Sequence, residues 1–185
     1  TLIATLGSEP QVVTAALDLL LDQNAPIHRV WILHTSALDG PIPRAVETLK
    51  RDFDLRRYPD SMLVEYFPIL NEQNYPVLDI ESPDASEAAF RTLYRLLHHA
   101  KTDGDQVHLC ISGGRKNLAM FGMVAAQLLF DDHDYLWHLY SGGEFLASKR
   151  LHPQPGDEAR LLSIPVLLRD YLSPALTHLK AIDDP

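Results

Sequence analysis

The sequence is constrained most by an alternation of short apolar runs with amphipathic stretches of helix length. This alternation is typical of βαβ units, in which helices connect the strands of a parallel sheet. The apolar runs of strand length are residues 2–6, 30–33, 62–69, 107–111 and 135–140. The helical stretches are residues 9–21, 42–53, 82–100 and 116–130, with a long loop over 71–83. The pattern predicts an α/β fold: a single Rossmann-like domain with a mostly parallel open sheet and helices on both faces.

The end of the chain has a weaker pattern. After Gly142 and Gly143, it predicts a hairpin formed by 145–151 and 160–164, followed by a short helix. A length of 185 residues, 46% of them hydrophobic, suits one domain with a sizeable core. Because neither an internal repeat nor a linker interrupts the chain, we expect residues 1–185 to form one ligand-binding domain.

Charge and cysteine content exclude several classes of protein. Sixteen basic and 25 acidic residues give a net charge of −9. Such a chain repels polyanions, so we expect no binding to long nucleic acids, and a nucleotide ligand would need a local cluster of cations. The single cysteine, Cys110, excludes an internal disulfide framework. No apolar run reaches the roughly 18 residues of a membrane span, so a cytoplasmic protein without a membrane partner is expected.

The first candidate site is the loop after the first strand, where a ligand of such a sheet binds. Gly7 permits a tight turn, Ser8 can cap the following helix, and Pro10 suits its first turn. Glu9 and Gln11 flank that helix start. The exposed backbone amides there favour an anion, although an ordinary capped turn would have the same sequence.

The second candidate site is the loop of residues 112–117, after the most apolar strand. Gly113 and Gly114 allow a close backbone approach to a ligand. Arg115 and Lys116 then place two cations at a helix N-terminus, where the helix dipole disfavours positive charge. A bound anion would offset that cost. The alternative is a glycine-rich turn with solvated basic side chains.

A third loop, His34-Thr35-Ser36, carries two hydroxyl groups that could contact a ligand or cap the chain locally. Several familiar motifs are absent: the three-glycine dinucleotide fingerprint, the phosphate loop ending in Gly-Lys-Ser/Thr, and the nucleophile elbow. The spacing of Arg91 and His98 matches a helical ribonuclease motif only loosely. No metal site and no cofactor are expected.

Two segments together resemble one known family. The opening Leu-Ile-Ala-Thr-Leu-Gly-Ser-Glu-Pro-Gln-Val-Val-Thr at 2–14 and the Ser-Gly-Gly-Arg-Lys loop at 112–116 resemble the CRISPR-associated Rossmann fold (CARF) family, over most of the first 145 residues. The resemblance implies a cytoplasmic homodimer that senses cyclic oligoadenylates from type III CRISPR signalling. Some members, called ring nucleases, also cleave this ligand. Many are fused to an effector domain, and the sequence shows none here.

The resemblance and the loop analysis imply the same site. The ligand-binding residues would be Gly7, Ser8, Glu9, Gln11, His34, Thr35, Ser36, Ser112, Gly113, Gly114, Arg115, Lys116 and Asn117. Two copies of Arg115 and Lys116 in a dimer would supply four cations, which suits the four phosphates of cyclic tetra-adenylate.

Cleavage would proceed by attack of a ribose 2′-hydroxyl on the neighbouring phosphate, without a metal. Ser8 would orient the sugar or phosphate, and Arg115 or Lys116 would stabilise the developing charge. Two alternatives stay open. One is a non-cleaving sensor that controls a fused or partner effector. The other is an adenylating enzyme, which would need an aspartate shortly after the glycines where this chain has Arg115-Lys116-Asn117.

Overall fold

The computed structural model describes residues 1–55 and 57–168. These residues form a six-stranded sheet in the order β3-β2-β1-β4-β5-β6. The strands are β1 (Leu2–Thr5), β2 (Arg29–His34), β3 (Leu63–Pro68), β4 (His108–Cys110), β5 (Tyr135–Ser141) and β6 (Ala159–Ile164). Neighbouring strands are parallel except β5 and β6, which are antiparallel. The predicted α/β fold with a mostly parallel open sheet is confirmed.

Five helices are described, and four of them connect the parallel strands. They are α1 (Gln11–Asp22), α2 (Pro41–Asp54), α3 (Pro83–Thr102), α4 (Lys116–Leu129) and α5 (Gly143–Ser148). The start of α3 follows the predicted signal: the Ser82 side chain accepts a hydrogen bond from the backbone N–H of Ala85 at 3.1 Å. Pro83 then occupies the first turn of α3, where a missing N–H costs nothing.

Two apolar layers hold the helices against the sheet. Alternate β1 residues point to opposite faces, so that Ile3 joins the layer beneath α3 and α4 whereas Leu2 and Ala4 join the layer beneath α1 and α2. Every residue of β1 and β4 is buried. Because these two central strands are fixed from both faces, the loops that follow them start from rigid positions.

The C-terminal part of the sheet corrects one prediction. Residues 145–151 do not form a strand, because 143–148 fold as α5 and bury Phe145 against the α1 layer. Glu, Leu and Ala in this segment favour helix, and the segment is too short to show a helical period. The strand predicted at 160–164 is present as β6, but it pairs with β5. The short helix predicted after it lies largely outside the described residues.

Among the described helices, none is both long and apolar enough to cross a lipid bilayer.

Candidate functional site

The loops after β1 and β4 lie side by side at the carboxyl edge, the edge of the sheet where the parallel strands end. A Cβ atom on Gly7 would lie 2.6 Å from the backbone nitrogen of Gly114, and one on Gly113 would lie 2.0 Å from the carbonyl oxygen of Thr5. The Thr5 hydroxyl donates a hydrogen bond to the carbonyl of Gly113 at 2.8 Å. Gly7 and Gly113 therefore allow close packing within the protein, against the β4 loop and the end of β1, and the approach of a ligand to the Gly113-Gly114 backbone stays a prediction.

On one side of the joined loops is a cleft of about 360 Å³, which we call the β5-side cleft. The first loop contributes Gly7, Ser8 and Glu9, and the second contributes Ser112, Gly113 and Gly114. The far wall is residues 138–141 of β5, together with Leu146 of α5. The structure thus brings six of the predicted ligand-binding residues to one cavity.

Two further clefts continue along the same edge. The β2-side cleft, about 310 Å³, shares Gly7, Ser8 and Gly114 with the β5-side cleft and adds Thr35 and Arg115. The α2 cleft, about 280 Å³, contains the predicted third loop, residues 34–36, facing the start of α2. The row of clefts offers room for an extended ligand over β5, β4, β1 and β2.

The third loop is anchored to its surroundings. His34 is half-buried, which lowers the pKa of its imidazole, and its Nδ1 lies 2.9 Å from the carbonyl of Thr35. Thr35 is buried. The backbone N–H of Ser36 donates to the carbonyl of Val77 at 2.8 Å. His34, Thr35 and Ser36 all line the α2 cleft, and Thr35 also lines the β2-side cleft.

The two predicted cations have different environments. The guanidinium of Arg115 forms a bidentate ion pair with Asp79, in which Nε donates at 2.8 Å, and this pair lowers the pKa of the Asp79 carboxyl. Lys116 is exposed in the first turn of α4 and has no ion pair or hydrogen bond with the described residues. Lys116 is therefore the more available cation for a bound anion.

Glu9 and Gln11 contact the segment that follows β5. Both carboxylate oxygens of Glu9 accept hydrogen bonds from Nζ of Lys149 at 2.7 Å. Gln11 is buried, and its Nε2 donates to the carbonyl of Leu146 at 3.2 Å. These contacts hold α5 against α1 as a wall of the β5-side cleft. Lys149 balances the negative charge of Glu9, so this ion pair adds no net charge to the cleft wall.

Asn117 and Lys116 belong to the first turn of α4 and do not line these three clefts. The side chain of Asn117 is partly buried, and its Oδ1 has no hydrogen-bond partner among the residues described. A part in ligand binding stays a prediction for these two residues, as it does for those that line the clefts.

Three residues at this edge were not predicted from the sequence: Asp79, Lys149 and His138. The side chain of His138 lies beside Ser112, with 3.2 Å between Nδ1 and Oγ. That pairing depends on the register of β4 with β5, in which Cys110 lies opposite Trp137. A period-2 pattern along one strand does not reveal the register of its neighbour, so the sequence carried no signal for the pair.

Within residues 1–55 and 57–168, no three His, Cys, Asp or Glu side chains come close enough to hold a metal ion. The side chains at the carboxyl edge include the hydroxyls of Ser8 and Ser112, the cation of Arg115, the carboxylate of Glu9, and the imidazoles of His34 and His138.

Comparison with known proteins identifies the family. No curated protein shows significant similarity to the chain. A family model described as CRISPR-associated protein NE0113 matches residues 9–185, nearly the whole sequence. The chain therefore belongs to the CRISPR-associated protein NE0113 family.

Proposed function

We propose that this protein is a cytoplasmic receptor for cyclic oligoadenylate in type III CRISPR signalling, with cyclic tetra-adenylate as its ligand. The observation that carries the proposal is the joining of the β1 and β4 loops, which gives two clefts a common floor of Gly7, Ser8 and Gly114. Membership of a CRISPR-associated family supports the biological setting. The resemblance of residues 2–14 and 112–116 to the CARF family suggests the class of ligand.

The phosphates would lie over this common floor. Backbone amides at the starts of α1 and α4 supply uncharged donors, and the helix dipoles favour negative charge there. Lys116 supplies a cation without a partner among the described residues, and Arg115 can turn to a phosphate by leaving Asp79. These local charges allow an acidic protein to bind a small polyanion.

The functional unit we propose is a homodimer. One subunit offers two cations at this loop, too few for a ring of four phosphates. A two-fold axis that places the loops of both subunits together gives four, and isologous dimers are the commonest oligomers. The ring would then span both subunits.

We propose further that the bound ring is cleaved by its own ribose 2′-hydroxyl, which attacks the adjacent phosphorus and leaves a 2′,3′-cyclic phosphate. Ser8 is exposed at the junction of two clefts, where its hydroxyl can orient the reacting sugar or phosphate. Lys116 or Arg115 would stabilise the charge that develops on the phosphate.

A second candidate is a receptor that holds the ring intact and controls a fused or partner effector. The Arg115–Asp79 ion pair favours this alternative, because it engages one of the two cations assigned to the developing charge.

The decisive experiment incubates the purified chain with radiolabelled cyclic tetra-adenylate, and separately with cyclic hexa-adenylate, in excess chelator. We expect tight binding of the four-membered ring and linear products ending in a 2′,3′-cyclic phosphate. Ser8→Ala should slow cleavage and spare most of the affinity. Tight binding with an intact ring supports the receptor alternative. Absence of binding to either ring, or strict dependence on Mg²⁺ with a 3′-hydroxyl product, contradicts the proposal.

A further inference from the structure

The β5-side cleft contains an ionisable group that the function proposed above does not use. His138, on β5, is exposed and lines this cleft together with Ser8 and Gly114. Among the described residues, no other histidine lines the β5-side cleft. Its position beside the joined loops brings an imidazole to the place proposed for the phosphates.

Hydrogen bonds orient this imidazole through Ser112. The backbone N–H of Leu139 donates to Oγ of Ser112 at 2.6 Å. Nδ1 of His138 lies 3.2 Å from the same Oγ, within hydrogen-bond distance, so Ser112 holds this side of the imidazole whether Nδ1 accepts or donates. Nε2 itself has no hydrogen-bond partner among the residues described, so it is available to a ligand.

Other histidines of the chain have different settings. Both ring nitrogens of His152 face carboxylates, with Asp18 at 2.8 Å and Asp52 at 3.1 Å. His108 is buried, and its Nδ1 accepts a hydrogen bond from the indole of Trp137 at 3.1 Å. These contacts tie His152 and His108 to the interior. At the carboxyl edge, His34 has its Nδ1 held by the Thr35 carbonyl and lines the α2 cleft, whereas His138 has its Nδ1 held by Ser112 and lines the β5-side cleft beside Ser8 and Gly114.

We propose that His138 is the proton donor to the leaving group in ring cleavage, an inference that rests on the proposed function. The 2′-oxygen–phosphorus bond forms as the bond from phosphorus to the 5′-oxygen breaks. The 2′-hydroxyl proton passes to water, and Nε2 of the imidazolium gives its proton to the departing 5′-oxygen. The ring is left neutral with its proton on Nδ1, donating to Ser112, and it regains the second proton from water. General acid catalysis of this kind contributes about 10²–10⁴-fold.

The test compares His138→Gln with wild type on two rings, natural cyclic tetra-adenylate and an analogue with sulfur in place of each 5′-bridging oxygen. A thiolate departs without being protonated, because a thiol is far more acidic than an alcohol. On the natural ring we expect His138→Gln to lower the single-turnover rate about 100-fold or more, with affinity within about threefold. On the sulfur ring we expect the single-turnover rate of His138→Gln to lie within about tenfold of the wild-type rate. His133→Gln, an exposed histidine between α4 and β5 at the opposite edge of the sheet, is the matched control and should behave as wild type on both rings.

The outcomes separate the two proposals. If wild type cleaves the natural ring and His138→Gln cleaves it equally fast, or is equally impaired on both rings, the assignment of His138 is overturned and the proposed function stands. If wild type binds the ring but cleaves neither form, ring cleavage and the role of His138 fall together, and the receptor alternative is supported. If wild type binds neither ring, the proposed function itself fails.

Discussion

Arg115 meets a carboxylate of its own chain at the helix N-terminus where the sequence predicts an external anion. Asp79 supplies that carboxylate from the long loop before α3, 36 residues earlier. The Asp79 carboxylate therefore partly offsets the unfavourable interaction of the Arg115 cation with the dipole of α4. The loop of residues 71–83 has no helix or strand period, so the sequence gives no indication of which of its side chains reaches Arg115.

Replacing Asp79 with asparagine should strengthen ring binding. Asparagine keeps the side-chain oxygen that accepts from the N–H of Ile80 at 2.8 Å, but it no longer neutralises Arg115. An exposed ion pair is a weak competitor, so we expect the dissociation constant of cyclic tetra-adenylate to fall by only about two- to fivefold in calorimetric titrations.

Making Asp79→Asn in a chain that also carries Arg115→Ala tests whether the gain in affinity acts through Arg115. Asp79→Asn should not change the affinity when Arg115 is replaced, because Asp79 weakens binding only by engaging the Arg115 guanidinium. Equal or weaker binding by Asp79→Asn in the otherwise natural chain would show that Asp79 does not compete with the ligand.

The packing of the β1 and β4 loops is the central feature at the level of secondary-structure elements. Gly113→Ala should destabilise the fold by about 1–3 kcal/mol or more, because its Cβ would meet the Thr5 carbonyl oxygen at 2.0 Å. A displaced loop should also weaken ring binding. Urea unfolding measures the first effect, and titration with the ring measures the second.

Gly143→Ala is the matched control, since a Cβ there has nothing within 4 Å. Its free energy of unfolding should stay within about 0.5 kcal/mol of wild type. If Gly113→Ala were as stable as Gly143→Ala and bound the ring normally, the close contact between the two loops would not be what shapes the site.

The elements that the sequence predicted well are those with long, unambiguous patterns. β1 and the stretch containing β4 read as continuous apolar runs because both faces of each strand are buried, and α4 has a full helical period. The segment of α5 was predicted as a strand, since its six residues are too few to show a period. The antiparallel partner of β6 and the Ser112–His138 contact depend on register across strands, which no single segment encodes.

At the scale of the whole molecule, the net charge of −9 requires that cations converge on one place if the protein is to bind a polyanion. One chain contributes Arg115, paired with Asp79, and Lys116 to the β4–α4 loop. A dimer that brings both copies together would double that local charge without altering the overall acidity.

Light scattering should therefore give a mass of twice the 20.8 kDa of one chain, with or without ring. One ring per two chains should saturate the protein in a calorimetric titration. A strict monomer that binds one ring per chain at full strength would contradict the two-fold arrangement.

If the phosphates of a cyclic oligoadenylate bind over the joined loops at the carboxyl edge, removing the cation of Lys116 should weaken binding. The most direct test is the affinity of Lys116→Ala for cyclic tetra-adenylate, compared with Arg91→Ala. Arg91 lies on α3, where its guanidinium is paired with Glu72 and Glu87, away from these clefts. A charge-assisted hydrogen bond to phosphate contributes about 1.5–3 kcal/mol, so Lys116→Ala should weaken binding by about 10- to 100-fold, and Arg91→Ala by less than about threefold. Unchanged affinity in Lys116→Ala together with loss of binding in Arg91→Ala would show that the phosphates do not bind over the joined loops.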